Sequence, residues 1–250
     1  MSFESITRRG LIIIGGGSML GGSTFAALRA FAPIDNSKFV PVNYSFAETG
    51  RCLLSAQAVE GPYYVDEALV RTDIREDRQG LMTTLRLKIV DAATCKAIPV
   101  AAVDVWHCDA LGRYSAAPEL MGEARRDAHG HLAPADTSRF LRGRQIADND
   151  GVVEFTTIYP GWYPGRTPHI HLKALVRDRE AATTQLFFDE SLSRVVYGTA
   201  PYASHGQSDT TNRNDMIIAD SRGADGSWPK VTREANALTA TLTIGIKSLA

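Results

Sequence analysis

His169 and His171 stand two residues apart in Pro168-His-Ile-His-Leu-Lys-Ala174. In an extended chain, residues i and i+2 leave the backbone on the same side. The apolar Ile170, Leu172 and Ala174 around them suit a strand, so both imidazoles could reach one metal ion. Upstream, Trp162 and Tyr163 lie between two Pro-Gly pairs, which can fold a loop back over that strand. Tyr163 could then bring a phenolate oxygen to the same ion. Imidazole serves iron, zinc and copper alike, whereas a phenolate favours a hard, oxidised cation, ferric iron first. The histidine pair alone leaves the alternative open, because strand histidines are often only hydrogen-bonded.

A second stretch rich in chemistry is Val103-Asp-Val-Trp-His-Cys-Asp-Ala-Leu-Gly-Arg-Tyr-Ser115. A strand ends near Cys108, Gly112 permits a turn, and Tyr114 is presented just beyond it. Taken alone, Tyr114 reads as a packed or hydrogen-bonded tyrosine, and His107, within the strand body, as structural. His129-Gly-His131 repeats the spacing, but Ala128, Gly130 and Pro134 do not make a rigid strand. Asp148-Asn-Asp-Gly151 lacks the acidic residue that would close a calcium loop, and reads as a tight turn into a strand at Val152. The chain contains no Gly-x-Ser-x-Gly elbow, phosphate-binding loop or dinucleotide fingerprint.

The elements that must hold these residues are strands. Leu85, Leu87 and Ile89 alternate with Thr84, Arg86 and Lys88, the pattern of a half-buried strand. Further strands are expected over Ala101–His107, Val152–Ile158, Pro168–Leu175 and Thr184–Phe188. The clearest is the last, where Leu238, Ala240, Leu242, Ile244 and Ile246 alternate with Thr239, Thr241, Thr243, Gly245 and Lys247. Short helices are expected over Glu119–Arg126 and Ser191–Tyr197. Long irregular segments, 115–150 and 198–230, separate the strands, and loops of that length are usually functional. The fold class is all-β, a β-sandwich with long functional loops.

Composition sets the outer limits. The 250 residues suffice for a substantial core, and 44% hydrophobic with 22% charged content is that of an ordinary globular protein. A formal charge of −1 gives no basis for a nucleic-acid partner. Residues 1–32 read as an address. Arg8 and Arg9 precede an apolar run, Leu11 to Leu28, diluted by five glycines, which resembles a twin-arginine (Tat) export signal. The implied partner is the Tat export machinery and the implied location periplasmic or extracellular, with a retained membrane anchor as the alternative. Without residues 1–32, the 27 basic and 28 acidic residues fall to 24 and 27. Residues 33–50 read as a linker or arm, leaving 51–250 as the folded domain. Of three cysteines, Cys95 and Cys108 flank one expected strand. Eight extended residues span roughly 25 Å, beyond the disulfide limit of about 7 Å, so Cys52 is the better partner for either.

Four separated motifs occur in one order: Glu60-Gly-Pro-Tyr-Tyr64; Asp104-Val-Trp-His107 with Gly-Arg-Tyr-Ser115; Phe140-Leu-Arg-Gly-Arg-Gln145; and Pro160-Gly-Trp-Tyr163 with Arg166-Thr-Pro-His-Ile-His171. Together they resemble the intradiol ring-cleavage dioxygenases, the protocatechuate and catechol dioxygenase family, from about Cys52 to Asp220. The resemblance implies ferric iron, Fe(3+), held by Tyr114, Tyr163, His169 and His171, with Tyr163 and His169 axial and Tyr114 and His171 equatorial. It implies that Arg166 stabilises negative charge on the ring and that Gln185 orients the substrate. The implied reaction opens a catechol-type substrate between its hydroxyls with dioxygen, giving a cis,cis-muconate-type product, with Tyr163 leaving the ion to accept a proton. About 20 residues between the signal and Cys52 are too few for the helical dimerisation domain of the catechol-specific branch. The chain is more similar to the secreted single-domain members, and the sequence leaves a homo-oligomer open. Two other readings compete: a zinc hydrolase using His169 and His171, and a secreted binding module for aromatics or sugars.

Overall fold

Eight strands build two four-stranded sheets in a computed structural model that describes residues 52–67, 69–117, 131 and 133–247. The expected export signal, the 33–50 arm and the helix expected over Glu119–Arg126 lie outside the described residues. The strands are β1 (Met82–Asp91), β2 (Ala102–Trp106), β3 (Arg142–Ile146), β4 (Val152–Ile158), β5 (His169–Val176), β6 (Arg179–Phe187), β7 (Lys230–Glu234) and β8 (Ala237–Ile246). One sheet has the order β4-β1-β8-β7, the other β3-β2-β5-β6.

The alternation read from the sequence decides which face of each sheet is dry. Leu85 pairs with Phe155 on β4 and with Ala240 on the parallel neighbour β8, and Leu87 with Val153 and Leu242. Partners directly across a sheet share a face, so these rows form one apolar surface. The second sheet answers with Val103, Val105, Ile170, Leu172 and Leu186, and both sets join one core cluster. A fully buried aliphatic side chain contributes about 1.5–3 kcal/mol relative to exposure, which makes this interface the main store of stability.

Two strands were not legible. β3 is Arg-Gly-Arg-Gln-Ile and β7 is Lys-Val-Thr-Arg-Glu, and neither alternates apolar with polar. Both are edge strands, held by backbone pairing to β2 and β8. The helix expected at Ser191–Tyr197 is α1 (Glu190–Val196), whose N-cap Asp189 accepts from Ser191 N. The stretch 198–230, expected to be irregular, contains a short 3-10 turn over Tyr202–Ser204 and α2 (Met216–Asp220). The Asp148 turn is as expected, since Asp148 Oδ1 accepts from Asp150 N and Val152 N at the start of β4.

Cys52 is bridged to Cys95, with Cα atoms 5.3 Å apart, while Cys108 is buried and unbridged. The bridge pins the start of an extended strap that runs on to the second sheet. Ser55 N donates to Gly245 O, and Ala58 N donates to Thr183 O. The bridge closes a loop of 43 residues, so its loss is expected to cost about 2–4 kcal/mol. Urea unfolding of Cys52→Ser/Cys95→Ser beside the parent checks this; equal midpoints would show that the strap is held by its hydrogen bonds alone.

Candidate metal centre

On the second sheet one face belongs to the core and the other to chemistry. Arg142, Trp106, His171 and Gln185 form a single row across β3, β2, β5 and β6. His169 shares their face, one pleat away on β5, while Ile170, Leu172 and Ala174 turn into the core. The imidazole of His171 stacks on Trp106 with centroids 4.8 Å apart and planes 9° from parallel. His169 is oriented by its own entry loop, because Nδ1 lies 2.7 Å from Thr167 O. A carbonyl can only accept, so the proton sits on Nδ1 and the Nε2 lone pair faces the site. Burial, reinforced by the charge of Arg166, holds the pKa of His169 down at about 3. Burial pushes His171 well below the usual range too. Both rings are neutral at physiological pH, the state in which imidazole binds metals.

The two tyrosines arrive on separate loops, after β2 and after β4, that cross backbone to backbone. A Cβ on Gly161 would stand 2.2 Å from Asp109 O, and one on Gly112 would stand 2.1 Å from Trp162 O. Gly112 also has φ +80°, in the left-handed region. The second loop is tied down from outside by Trp162, which donates from Nε1 to Gly206 O at 3.0 Å and packs on His205. The crossing places Tyr163 Oη 3.3 Å and Tyr114 Oη 3.5 Å from His169 Nε2. His171 Nε2 is 3.2 Å from the same atom. Burial raises both phenols, Tyr163 to about 12 and Tyr114 well above its ordinary value, so each keeps its proton unless a cation takes its place.

Three neighbours around the single lone pair of His169 Nε2 cannot all donate to it. A shared ion resolves this crowding, since donors about 2.1 Å from one ion stand about 3 Å apart when their bonds are near perpendicular. Among the described residues no three His, Cys, Asp or Glu side chains could hold a metal together. A metal at this point therefore has to use the phenols. The residues fit a hard cation bound by two imidazoles and two phenolates, with loss of two protons on binding.

The sequence profile of a family described as Dioxygenase matches residues 59–196, more than half of the chain. The solved intradiol ring-cleavage dioxygenase of Tetranychus urticae is 36% identical, over 80% of this chain and 97% of its own, with a TM-score of 0.71. The chain belongs to the intradiol ring-cleavage dioxygenases. A chlorocatechol 1,2-dioxygenase of Cupriavidus pinatubonensis is 27% identical over 54% of this chain and 55% of its own length. A catechol 1,2-dioxygenase of a Pseudomonas species is 28% identical over 56% and 43%. The chain thus spans about half the length of the curated relatives it matches.

The remaining expected residues also gather at the site. Arg166 Nη1 points to Tyr163 Oη at 3.4 Å, and Nη2 donates to Gln185 Oε1 at 2.5 Å. Gln185 in turn donates to Val59 O at 2.9 Å, tying the N-terminal strap to the site. Gly61, with φ +78°, sets the strap so close that a Cβ there would lie 3.3 Å from His171 Cε1. Tyr63 then stacks on Tyr114 with centroids 4.4 Å apart.

The other histidines do other work. His107 is buried with Nε2 2.7 Å from Thr157 Oγ1 and Nδ1 2.8 Å from Cys108 O. His131 pairs with Glu60 at 2.6 Å, and His129 lies outside the described residues.

One site residue was missed in the sequence. Asp215 is fully buried, and its Oδ2 accepts from Arg166 Nε and Thr167 N, each at 2.9 Å. Burial opposes its ionisation, but these donors outweigh burial and hold the carboxyl below its usual range. The available signal was Asp215 ahead of Met216-Ile-Ile218, an N-cap before an apolar run.

The loop crossing yields a test. Gly161→Ala must push the two loops apart and is expected to cost about 1–3 kcal/mol, with loss of metal affinity as the tyrosines separate. Thermal unfolding and metal titration check this; unchanged affinity would mean that the crossing does not set the donor positions.

Proposed function

We propose that this chain binds a ferric ion, Fe(3+), through Tyr114, Tyr163, His169 and His171, and cleaves catechol-type rings between their two hydroxyls. Dioxygen is the second substrate, and both of its atoms enter a cis,cis-muconate-type product, so no external reductant is required. The observation that carries the reading is the convergence of two phenol oxygens and the His171 Nε2 within 3.2–3.5 Å of His169 Nε2. The chemistry the ion supplies there is Lewis acidity toward the two catechol oxygens.

The side chains divide the remaining work. Tyr163, the more accessible phenol, takes the proton of an incoming catechol hydroxyl. Arg166, beside Tyr163 Oη, offers positive charge where negative charge develops on the ring, an electrostatic role of the oxyanion-hole type. Gln185, held between Arg166 and Val59 O, orients the substrate. The stacked Tyr63 and Tyr114 give the bound ring an aromatic wall. A zinc hydrolase would hold its ion on three protein ligands, and among the described residues no group of three His, Cys, Asp or Glu side chains could do so at His169 and His171. A binding module would have no use for four converging metal donors.

Purified protein is expected to carry iron stoichiometric with the chain and a visible tyrosinate-to-iron band that shifts when catechol is added. Under anaerobic catechol, Tyr114→Phe is expected to lose much of that band and Tyr163→Phe to keep it. Stoichiometric zinc without a visible band would exclude the dioxygenase reading, and the reverse pattern of variants would exchange the roles of the two tyrosines.

Residues 1–32 are further proposed to direct Tat export to the periplasm or beyond. The Arg8-Arg9 pair supports this, and so does the Cys52–Cys95 bridge, since disulfides persist in oxidising compartments. Replacing Arg8 and Arg9 together by lysine is expected to leave folded protein in the cytoplasm; normal export of that variant would refute the assignment.

A further inference from the structure

We infer that Asp215 is a positioning residue for the reaction, the carboxylate that locks the Arg166 guanidinium in the orientation the site requires. This rests on the role given to Arg166 above. A guanidinium is a rigid fork of five N–H donors, so fixing one edge fixes the others. Here the Nε edge meets Asp215 Oδ2 at 2.9 Å, while Nη1 and Nη2 face Tyr163 Oη and Gln185 Oε1. Among the described contacts no other carboxylate bonds Arg166, whose side chain is 12% exposed against 0% for Asp215.

Asp215 is itself immobilised from both sides. Its Oδ1 accepts from Ile217 N at 2.9 Å and Ile218 N at 3.2 Å, capping α2, and Oδ2 also accepts from Thr167 N. Four N–H donors fill a carboxylate's acceptor sites, leaving it no freedom to turn. The segment is clamped again by Asn212, which accepts from Thr167 Oγ1 and donates to Phe188 O. Asp215 lies outside residues 59–196, the part of the chain that the family profile matches. The long segment after α1 thus has a chemical purpose: it delivers a buried anion behind Arg166.

Asp215→Asn keeps the shape and an oxygen for the helix cap, but turns an N–H2 group toward Arg166 Nε or Thr167 N. Asp215→Ser is the companion variant, because a serine hydroxyl still caps a helix but is too short to reach the guanidinium. Both are expected to retain iron and the visible band while turnover of catechol falls by about 10–100-fold, the scale of a misplaced catalytic group. The decisive measurement is a double-mutant cycle with Arg166→Ala. If Asp215 acts through Arg166, the double variant is no slower than Arg166→Ala alone; if the two losses multiply, the inference is wrong. Crystal structures of the two Asp215 variants provide a readout independent of turnover. They are expected to show the guanidinium withdrawn from Gln185 Oε1, and a guanidinium still in place would overturn the inference even if the wild-type protein opened no catechol. Absence of ring cleavage in the wild type, with Arg166 displaced in the variants, would count against the proposed reaction and not against the positioning role.

Discussion

The two-residue repeat of β5 is the constraint on which the molecule depends. Ile170, Leu172 and Ala174 belong to the sandwich core, while His169, His171 and Lys173 occupy the opposite face. A slip of one residue would exchange the two sets and destroy core and site together. Fold stability and donor geometry are therefore fixed by the same register. Apolar burial between the sheets supplies the free energy that holds two neutral imidazoles side by side in a dry setting.

A sheet face turned away from the core would ordinarily be wet, and here it is covered by loops. Beyond the row of Arg142, Trp106, His171 and Gln185, covering is achieved with paired charges. Asp104 receives Arg144 and the Tyr64 hydroxyl, and Lys173 meets Glu60 beneath the Tyr64 ring. Arg142 reaches across to Ser115 and to Tyr63 O, joining the strap, β3 and the loop that carries Tyr114. Buried ion pairs add little net stability over apolar packing, but breaking one leaves an uncompensated charge. Such pairs fix how the loops lie over the sheet, which a donor set shared among three segments requires.

The crossing of the loops after β2 and β4 imposes the second requirement. Two phenol oxygens can approach one imidazole only if their backbones touch, and Gly112 and Gly161 are the positions where any side chain would intrude. The strap from Cys52 closes the arrangement through Gln185 and Gly61. Distant parts of the chain thereby meet at a few atoms: 59–64, 108–115, 159–171, 185 and 215.

What the sequence determined by itself was whatever depends on short range. Alternation of apolar and polar residues marked β1 and β8, because the pleat has a period of two whatever the partner strand. His-x-His and the Pro-Gly-flanked Tyr163 carried their geometry locally, and the spaced motifs carried the resemblance that joined Tyr114, Arg166 and Gln185 to them. Tertiary structure alone decided the rest. β3 and β7 exist because a neighbouring strand offers hydrogen-bonding partners, not because their residues alternate. Tyr114 reaches His169 only across a loop crossing made possible by glycines 49 positions apart in sequence, Gly112 and Gly161. Cys52 met Cys95 rather than Cys108 because the strap passes the β1–β2 connection before it reaches the site. Asp215 stands ahead of Met216-Ile-Ile218, the local mark of a helix cap, but went unread, and its hold on Arg166 arises from the folding back of the segment after α1, which no local pattern encodes.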